Sequence, residues 1–121
     1  MSTFTYPVMV GNPEGQRFVQ IEALVDTGST FSLFPGDMLR QLGVRPLRRV
    51  RFELADGRRV EKELGQTVLR VDGLEGTQNV VFGDAGEAAL IGAVTLETFL
   101  LAVDPIRGRL VPIDGLLKAL V

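Results

Sequence analysis

A short stretch, Asp26-Thr27-Gly28-Ser29, follows the apolar run Ile21–Val25 and holds a carboxylate at the end of a predicted strand. Gly28 permits a tight turn and a close backbone approach. The hydroxyl of Ser29, or the N–H groups of the turn, can hydrogen-bond one carboxylate oxygen. Two carboxyl groups that share a proton can activate water and protonate a carbonyl oxygen together. The stretch occurs once in the chain, so this chemistry requires a second carboxylate from a second copy.

The tripeptide Asp26-Thr27-Gly28 also fits a simpler interpretation. Asp frequently ends a strand by accepting a hydrogen bond from its own backbone two residues on, and Gly is common in such turns. Taken alone, the tripeptide favours this simple turn over a catalytic site. The choice between the two therefore depends on the rest of the chain.

Composition removes most other hydrolytic chemistries. The chain has 121 residues, with 45% hydrophobic and 23% charged, which is typical of one soluble globular domain spanning residues 1–121. It contains neither cysteine nor histidine. Hydrolases of the Ser-His-Asp or Cys-His type, zinc sites built from Cys and His, and disulfides are all excluded. We expect no cofactor and no metal, and this shortage raises the weight of a well-placed aspartate.

Charge and hydropathy indicate which partners and compartment to expect. The net charge of −2 argues against a nucleic-acid partner. A local group of arginines is better explained as a solvated strand edge than as a phosphate-binding patch; it comprises Arg45, Arg48, Arg49, Arg51, Arg58 and Arg59. No apolar run approaches the ~20 residues that span a bilayer. The first residues do not have the features of a signal peptide, so we expect a cytoplasmic protein without a membrane partner.

The hydrophobic period is mostly two, which predicts a β-rich chain. Phe4–Val10 and Val19–Val25 are predicted to form a first hairpin. A short helix is predicted between Pro35 and Gly43. Asp56-Gly57 between alternating strands is a strong hairpin signal.

The second half of the chain continues this pattern. Gln66–Val71 and Thr77–Phe82 are predicted as two further strands, separate from the hairpin. A helix is expected over Ala93–Phe99. Two short strands should follow, Leu101–Val103 and Arg109–Pro112. The tail, Asp114–Val121, is predicted as a short amphipathic helix whose leucines form an apolar contact patch.

Three features in a fixed order carry a resemblance to a known family. They are Ala23-Leu24-Val25-Asp26-Thr27-Gly28-Ser29-Thr30, the hairpin around Ala55-Asp56-Gly57-Arg58, and the element Leu90-Ile91-Gly92 that precedes a helix. Together they resemble the retropepsin-like aspartic proteases, in particular the prokaryotic branch, over roughly Tyr6 to Pro112. The resemblance implies a mostly β, small closed β-barrel-like retropepsin fold with a ψ-loop, a flap hairpin and one or two short helices.

The resemblance also implies roles for individual residues. Asp26 of each chain would be catalytic in a homodimer, and Thr27 would bond across the two-fold axis. Gly28, Ser29 and Thr30 would support the active-site loop. The hairpin tip, Ala55-Asp56-Gly57-Arg58, would act as the flap that contacts a peptide or protein substrate. Leu90, Ile91 and Gly92 would complete the ψ-shaped motif beside the loop.

Two other interpretations remain open at this point. The same fold could be catalytically silent and either bind extended peptides or mediate dimerisation. Alternatively, a weak dimer could act as the switch of a processing or assembly protein that is active only when fused or crowded. Both keep the fold and differ from the first hypothesis in what Asp26 does.

Overall fold

The computed structural model describes residues 4–118, which form nine strands and two short helices, one helix after the third strand and one after the seventh. The strands are β1 Thr5–Gly11, β2 Phe18–Val25, β3 Ser32–Pro35, β4 Arg48–Glu53, β5 Arg59–Val71, β6 Leu74–Gly83, β7 Leu90–Ile91, β8 Leu101–Asp104 and β9 Arg109–Pro112. The helices are α1 Gly36–Gln41 and α2 Ala93–Phe99. The prediction of a mostly β fold is confirmed, and the two helices fall within the one or two that the resemblance implied.

Six strands close into a ring. The main sheet has the order β1-β2-β7-β3-β6-β5-β4, and a further pairing joins β1 to β5 through Met9 with Arg70 and Val10 with Leu69. Within residues 4–118, strand β4 lies outside this ring and pairs only with β5, so it is an edge strand of this sheet. Strands β8 and β9 form a separate two-stranded sheet. The closed arrangement agrees with the expected acid-protease fold.

The core lies inside the ring, because alternate side chains of each strand point to it. Its fully buried members come from strands and helix alike, and the largest are Phe34, Leu39, Leu69, Ile91, Val8 and Val10. Helix α1, which lies within the predicted range from Pro35 to Gly43, contributes the buried Leu39 and is followed by the buried Leu42. The core thereby fixes the strand ends that carry the site.

Strand β5 is longer than the sequence indicated. Residues Arg59–Leu64 and Gln66–Val71 belong to one 13-residue strand, so the predicted division around Gly65 is wrong. A Cβ at Gly65 would lie 2.8 Å from the carbonyl oxygen of Arg45. Gly65 is thus required by a close approach of two backbone segments inside a continuous strand, a role glycine often takes in sheets.

The predicted tail helix is also wrong over the residues that can be judged. Residues 114–118 are not helical, and the remaining positions, Ala119 to Val121, lie outside the described residues. Gly115 disfavours a helix, and so short a segment gains little without tertiary packing. Leu116 and Leu117 are exposed. Of the helices within residues 4–118, neither has the length and apolar character needed to traverse a bilayer.

Candidate active site

Asp26 lies directly after β2, and its backbone and side chain are both held in place. Its N–H donates to the carbonyl oxygen of Ile91 at 3.0 Å. Its Oδ1 accepts a hydrogen bond from the N–H of Gly28 at 3.0 Å, and its Oδ2 accepts one from the Ser29 hydroxyl at 3.0 Å. The carboxylate is half-buried, so one side of it still faces outward. Both oxygens are oriented by the loop itself.

These contacts include features of both interpretations of Asp26-Thr27-Gly28, the simple turn and the oriented catalytic carboxylate. The Gly28–Asp26 hydrogen bond is the local turn bond that a simple Asp turn would make. The Ser29 hydroxyl adds a second fixed donor, as the catalytic interpretation anticipated. Thr27 and Thr30 are exposed at the tip of the same loop. The sequence left open whether the Ser29 hydroxyl or a turn N–H would bond one carboxylate oxygen; in the structure each of them bonds a different oxygen.

Strand β7 lies between β2 and β3, the two strands that the Asp26 loop connects. It pairs in parallel with β2, through Leu24 with Leu90 and Val25 with Ile91, and antiparallel with β3, through Leu33 with Leu90. Inserting a strand between β2 and β3 produces the ψ-shaped arrangement expected for Leu90-Ile91-Gly92. Asp26 is therefore anchored to an element more than 60 residues downstream.

Gly92 permits a very close contact between this element and the loop. A Cβ at this position would lie 2.8 Å from the carbonyl oxygen of Ser29 and closer still to that of Phe31. The first N–H groups of α2 then donate to the loop, Ala93 to the Ser29 carbonyl at 2.8 Å and Val94 to the Thr30 carbonyl at 3.0 Å. The free N–H groups at the start of α2 are satisfied in this way, and the helix holds the backbone of the Asp26 loop in place.

A buried hydroxyl pair completes the support, and sequence reasoning did not identify it. The Ser32 and Thr95 hydroxyls are 2.6 Å apart, and Ser32 Oγ also accepts the N–H of Gly92 at 3.1 Å. Both residues are almost fully buried. The available signal was a Ser and a Thr at positions where the strand and helix patterns require burial. Such groups persist in a core only when they are paired.

Ser32→Ala is expected to lower the free energy of unfolding by about 1–3 kcal/mol, because it leaves the N–H of Gly92 and the Thr95 hydroxyl without a partner. Urea unfolding measures this difference. As a control, Thr98→Ala removes an exposed hydroxyl that bonds only within its own helix, and should cost less than about 0.5 kcal/mol. Equal effects of the two changes would contradict a supporting role for Ser32.

The β4–β5 hairpin carries the predicted flap. Its turn is closed by hydrogen bonds between Leu54 and both Gly57 and Arg58, and all four predicted tip residues, Ala55 to Arg58, are exposed. Asp56 accepts the backbone N–H and the guanidinium of Arg58, which lower the pKa of its carboxyl below the ordinary value. The tip is therefore a small ion-paired turn.

A cleft of about 430 Å³ separates this hairpin from the Asp26 loop. The loop side is formed by Gly28 to Phe31, and the hairpin side by Arg51 to Leu54 and by Val60 and Lys62. The stem of the hairpin, rather than its tip, thus borders the cleft in the single chain. The structure brings Gly28, Ser29 and Thr30 to the cleft and leaves Asp56 and Arg58 outside it.

Lys62 is a second feature that the sequence did not indicate. It projects from β5 toward the loop between β6 and β7, where its ammonium group donates to Asp84 at 2.9 Å and to Glu87. Its side chain is only 11% exposed. Burial by itself would lower the pKa of Lys62, but hydrogen bonds to Glu87 and Asp84 outweigh it, so the pKa is raised. The hairpin is thereby tied to the opposite wall of the cleft.

Lys62→Met is expected to lower the free energy of unfolding by up to about 1 kcal/mol at neutral pH, since the carboxylate partners are partly exposed. Because the Lys62 pKa is raised by folding, this contribution is fully present below the ordinary lysine pKa and is lost as the pH rises through the raised value. Urea unfolding at pH 8 and pH 11 tests this, with the exposed Lys118→Met as control. A difference that grew toward pH 11 would contradict the assignment.

Other acidic residues have structural roles. The backbone N–H and guanidinium of Arg107 lower the pKa of Asp104, which closes the β8–β9 turn. Asp37 lies in the first turn of α1. Across residues 4–118, no three acidic side chains are grouped so that they could hold a metal ion. Asp26 is the acidic residue of the loop after β2; Gly28 to Phe31 of this loop border the cleft, whose own acidic residues are Glu53 and Glu87.

Comparison with known proteins agrees with this architecture. The family model described as "Aspartyl protease" matches residues 7–117. A search of curated proteins finds no match.

Solved structures are similar in fold at low sequence identity. The EIAV protease complexed with the inhibitor HBY-793 is 16% identical, with 80% of this chain and 88% of that chain covered and a TM-score of 0.59. The simian foamy virus (mac) protease is 15% identical, with 76% and 90% covered and a TM-score of 0.55. A retropepsin-like aspartic protease from Rickettsia conorii is 21% identical, with 86% and 94% covered and a TM-score of 0.45. By its family match and by the fold it shares with the two viral proteases, the chain is a retropepsin-like member of the aspartyl protease family.

Proposed function

We propose that the chain is a homodimeric aspartic endopeptidase in which each copy supplies one Asp26. The observation that carries this proposal is the fixed carboxylate of Asp26, whose two oxygens are held by Gly28 and Ser29 beside the cleft. Membership of the aspartyl protease family supports the same reaction class. A carboxylate oriented on both oxygens is suited to a defined proton transfer.

The reaction follows from a pair of carboxyl groups that share one proton. The ionised Asp26 takes a proton from water as the water oxygen attacks the scissile carbonyl carbon, and the protonated Asp26 of the second copy donates its proton to the carbonyl oxygen. The resulting tetrahedral diol then loses the amine, which receives a proton from the first carboxyl group. One of the two hydroxyl groups of the diol gives its proton back to the second carboxylate as the carboxylic acid product forms. The pair of Asp26 side chains therefore ends in its starting protonation state.

A two-fold axis through the site explains why one carboxylate per chain is sufficient. An isologous dimer brings the same residue of both copies to the axis. In this proposal the exposed hydroxyl of Thr27 bonds across the axis and holds the two loops together. The ψ-shaped support from Ile91 and Gly92 keeps each carboxylate oriented toward its partner.

The substrate is proposed to lie as an extended strand in the cleft between the hairpin and the Asp26 loop. Backbone hydrogen bonds would fix its register, and alternate side chains would enter pockets on either side. The tip residues Asp56 and Arg58 would contact substrate only when the two hairpins of a dimer close over it. The stem residues that border the cleft would contact the substrate within each chain, without the hairpin of the second copy.

Concentration dependence of activity tests the dimer. The rate per chain should rise with protein concentration and reach a plateau where native mass spectrometry shows dimers, with a diverse peptide library as substrate from pH 3 to 8. A well-folded dimer that cleaves no member of the library would contradict the peptidase proposal and favour the catalytically silent, peptide-binding alternative. A chain that stays monomeric but cleaves would contradict the shared-proton pair.

A further inference from the structure

The cleft beside the Asp26 loop has apolar walls and a charged end. Phe31, Leu33, Val60, Val81 and Leu90 border it, and the rings of Phe31 and Phe52 pack edge to face at 6.3 Å. Lys62 and Glu87 border it as well. Pockets for side chains are commonly apolar with a few placed polar groups that set specificity.

The Lys62–Glu87 pair is the partition between this cleft and a second hollow. The second hollow, of about 360 Å³, lies along α1 and the outer part of β5, and Lys62 and Glu87 border both spaces. A side chain that enters the cleft from the Asp26 side and follows its apolar walls therefore meets an ion pair rather than backbone.

The ion-paired group at the end of the cleft, Lys62 with Asp84 and Glu87, has a net negative charge. Lys62 contributes one positive charge, while Asp84 and Glu87 contribute two negative charges, which leaves −1. Asp84 itself borders the second hollow and not the cleft. The charged residues that border the cleft, Arg51, Lys62, Glu53 and Glu87, balance one another, so the excess negative charge lies just beyond the Lys62–Glu87 pair. Asp84 and Glu87 are 81% and 40% exposed, so water screens this excess in the free chain. A bound side chain that displaced water from Glu87 would strengthen the attraction between this carboxylate and a cation.

Glu87 retains an acceptor for such a group. Its Oε1 accepts hydrogen bonds from Lys62 and from the N–H of Asp84 at 2.6 Å. Its Oε2 accepts none from any residue between 4 and 118, and the side chain is 40% exposed. A cationic donor at this position would satisfy the free oxygen and neutralise the excess charge.

We infer that the cleft selects a lysine or arginine side chain of the bound peptide, with its apolar stem along the walls and its charged head on Glu87. This rests on the proposed function in taking the cleft as the substrate-binding site. A leucine-like side chain would fill the space between the apolar walls but leave the free oxygen of Glu87 unpaired. An acidic side chain would be repelled by the Glu87 carboxylate. The preference is thus for a long side chain that is apolar in its middle and cationic at its end.

Peptide selection by an inactive dimer tests the inference without requiring catalysis. Immobilised Asp26→Asn protein is incubated with a randomised peptide library, and retained peptides are sequenced by mass spectrometry. Lysine and arginine should be enriched over leucine and norleucine at one position by about tenfold, as for a hydrogen bond between charged partners. Adding Glu87→Gln should abolish the enrichment.

The matched control is Glu61→Gln in the same inactive background. It removes the same charge at the residue that precedes Lys62 in β5. Of the two spaces, Glu61 borders the second hollow and not the cleft, so enrichment should persist. Absence of retained peptides, absence of basic enrichment, or enrichment that survives Glu87→Gln would overturn the inference. Separate cleavage assays on the unmodified chain distinguish the two proposals. Cleavage without basic selection contradicts only the specificity, and basic selection without cleavage contradicts only the peptidase.

Discussion

Asp26→Asn is expected to abolish peptide hydrolysis, lowering kcat/KM by at least about 10³-fold, because an amide can neither take a proton from water nor share one with its partner. The fold should persist, since asparagine can still accept the hydrogen bond from Gly28. Cleavage of a fluorogenic peptide measures the loss, with circular dichroism and native mass spectrometry as checks of fold and assembly.

Mixing experiments make this prediction sharper. When a ninefold excess of Asp26→Asn protein exchanges with the unmodified chain, only about a tenth of the unmodified chains keep an unmodified partner in an isologous dimer, so activity should fall to that level. Asp104→Asn is the control, since Asp104 closes a distant turn, and it should leave kcat/KM unchanged. Activity that is insensitive to the excess would contradict a site shared between two chains.

Gly92→Ala is expected to have the second largest effect, lowering the free energy of unfolding by about 3 kcal/mol and removing activity. The new Cβ would collide with the carbonyl oxygens of Ser29 and Phe31, which are backbone atoms and cannot rotate away. Relief would require β7 to separate from the loop, which would displace Asp26. Thermal or urea unfolding measures the stability, and peptide cleavage measures the activity.

Gly76→Ala provides the comparison within the same fold. A Cβ there would meet the ring of Phe99 at 3.4 Å, which is an ordinary contact, so the change should cost less than about 1 kcal/mol. If both substitutions were tolerated equally, the close approach at Gly92 would not be what holds the loop.

Several elements could be predicted from sequence because their signals are local. Asp56-Gly57 specified the hairpin turn, and Gly92 followed by Ala93–Phe99 specified a helix with the observed bounds. The turn after Val25 was marked by Asp26-Thr27-Gly28-Ser29, and the hydrogen bonds from Gly28 and Ser29 to the Asp26 carboxylate are local. In each case the deciding interactions join residues only a few positions apart, which is where sequence patterns are most informative.

The features that sequence missed all depend on distant partners. Lys62 has an ordinary place in an alternating strand, and only the arrival of Asp84 and Glu87 turns it into part of a cleft wall. Gly65 resembled a strand break until the approach of the Arg45 backbone explained it. Ser32 and Thr95, 63 residues apart, acquire a shared role only in the folded chain.

The insertion of β7 between β2 and β3 also constrains the order in which the molecule is assembled. The carbonyl of Ile91 and the N–H groups of Ala93 and Val94, which fix the loop around Asp26, come more than 60 residues after it. Closing so long a stretch of chain is entropically costly and slows folding. A partly synthesised chain that ends before residue 90 can form the β1–β2 and β4–β5 hairpins but cannot hold this loop. We therefore expect the geometry of the Asp26 loop to form late in folding, and a chain that ends before residue 90 to lack it.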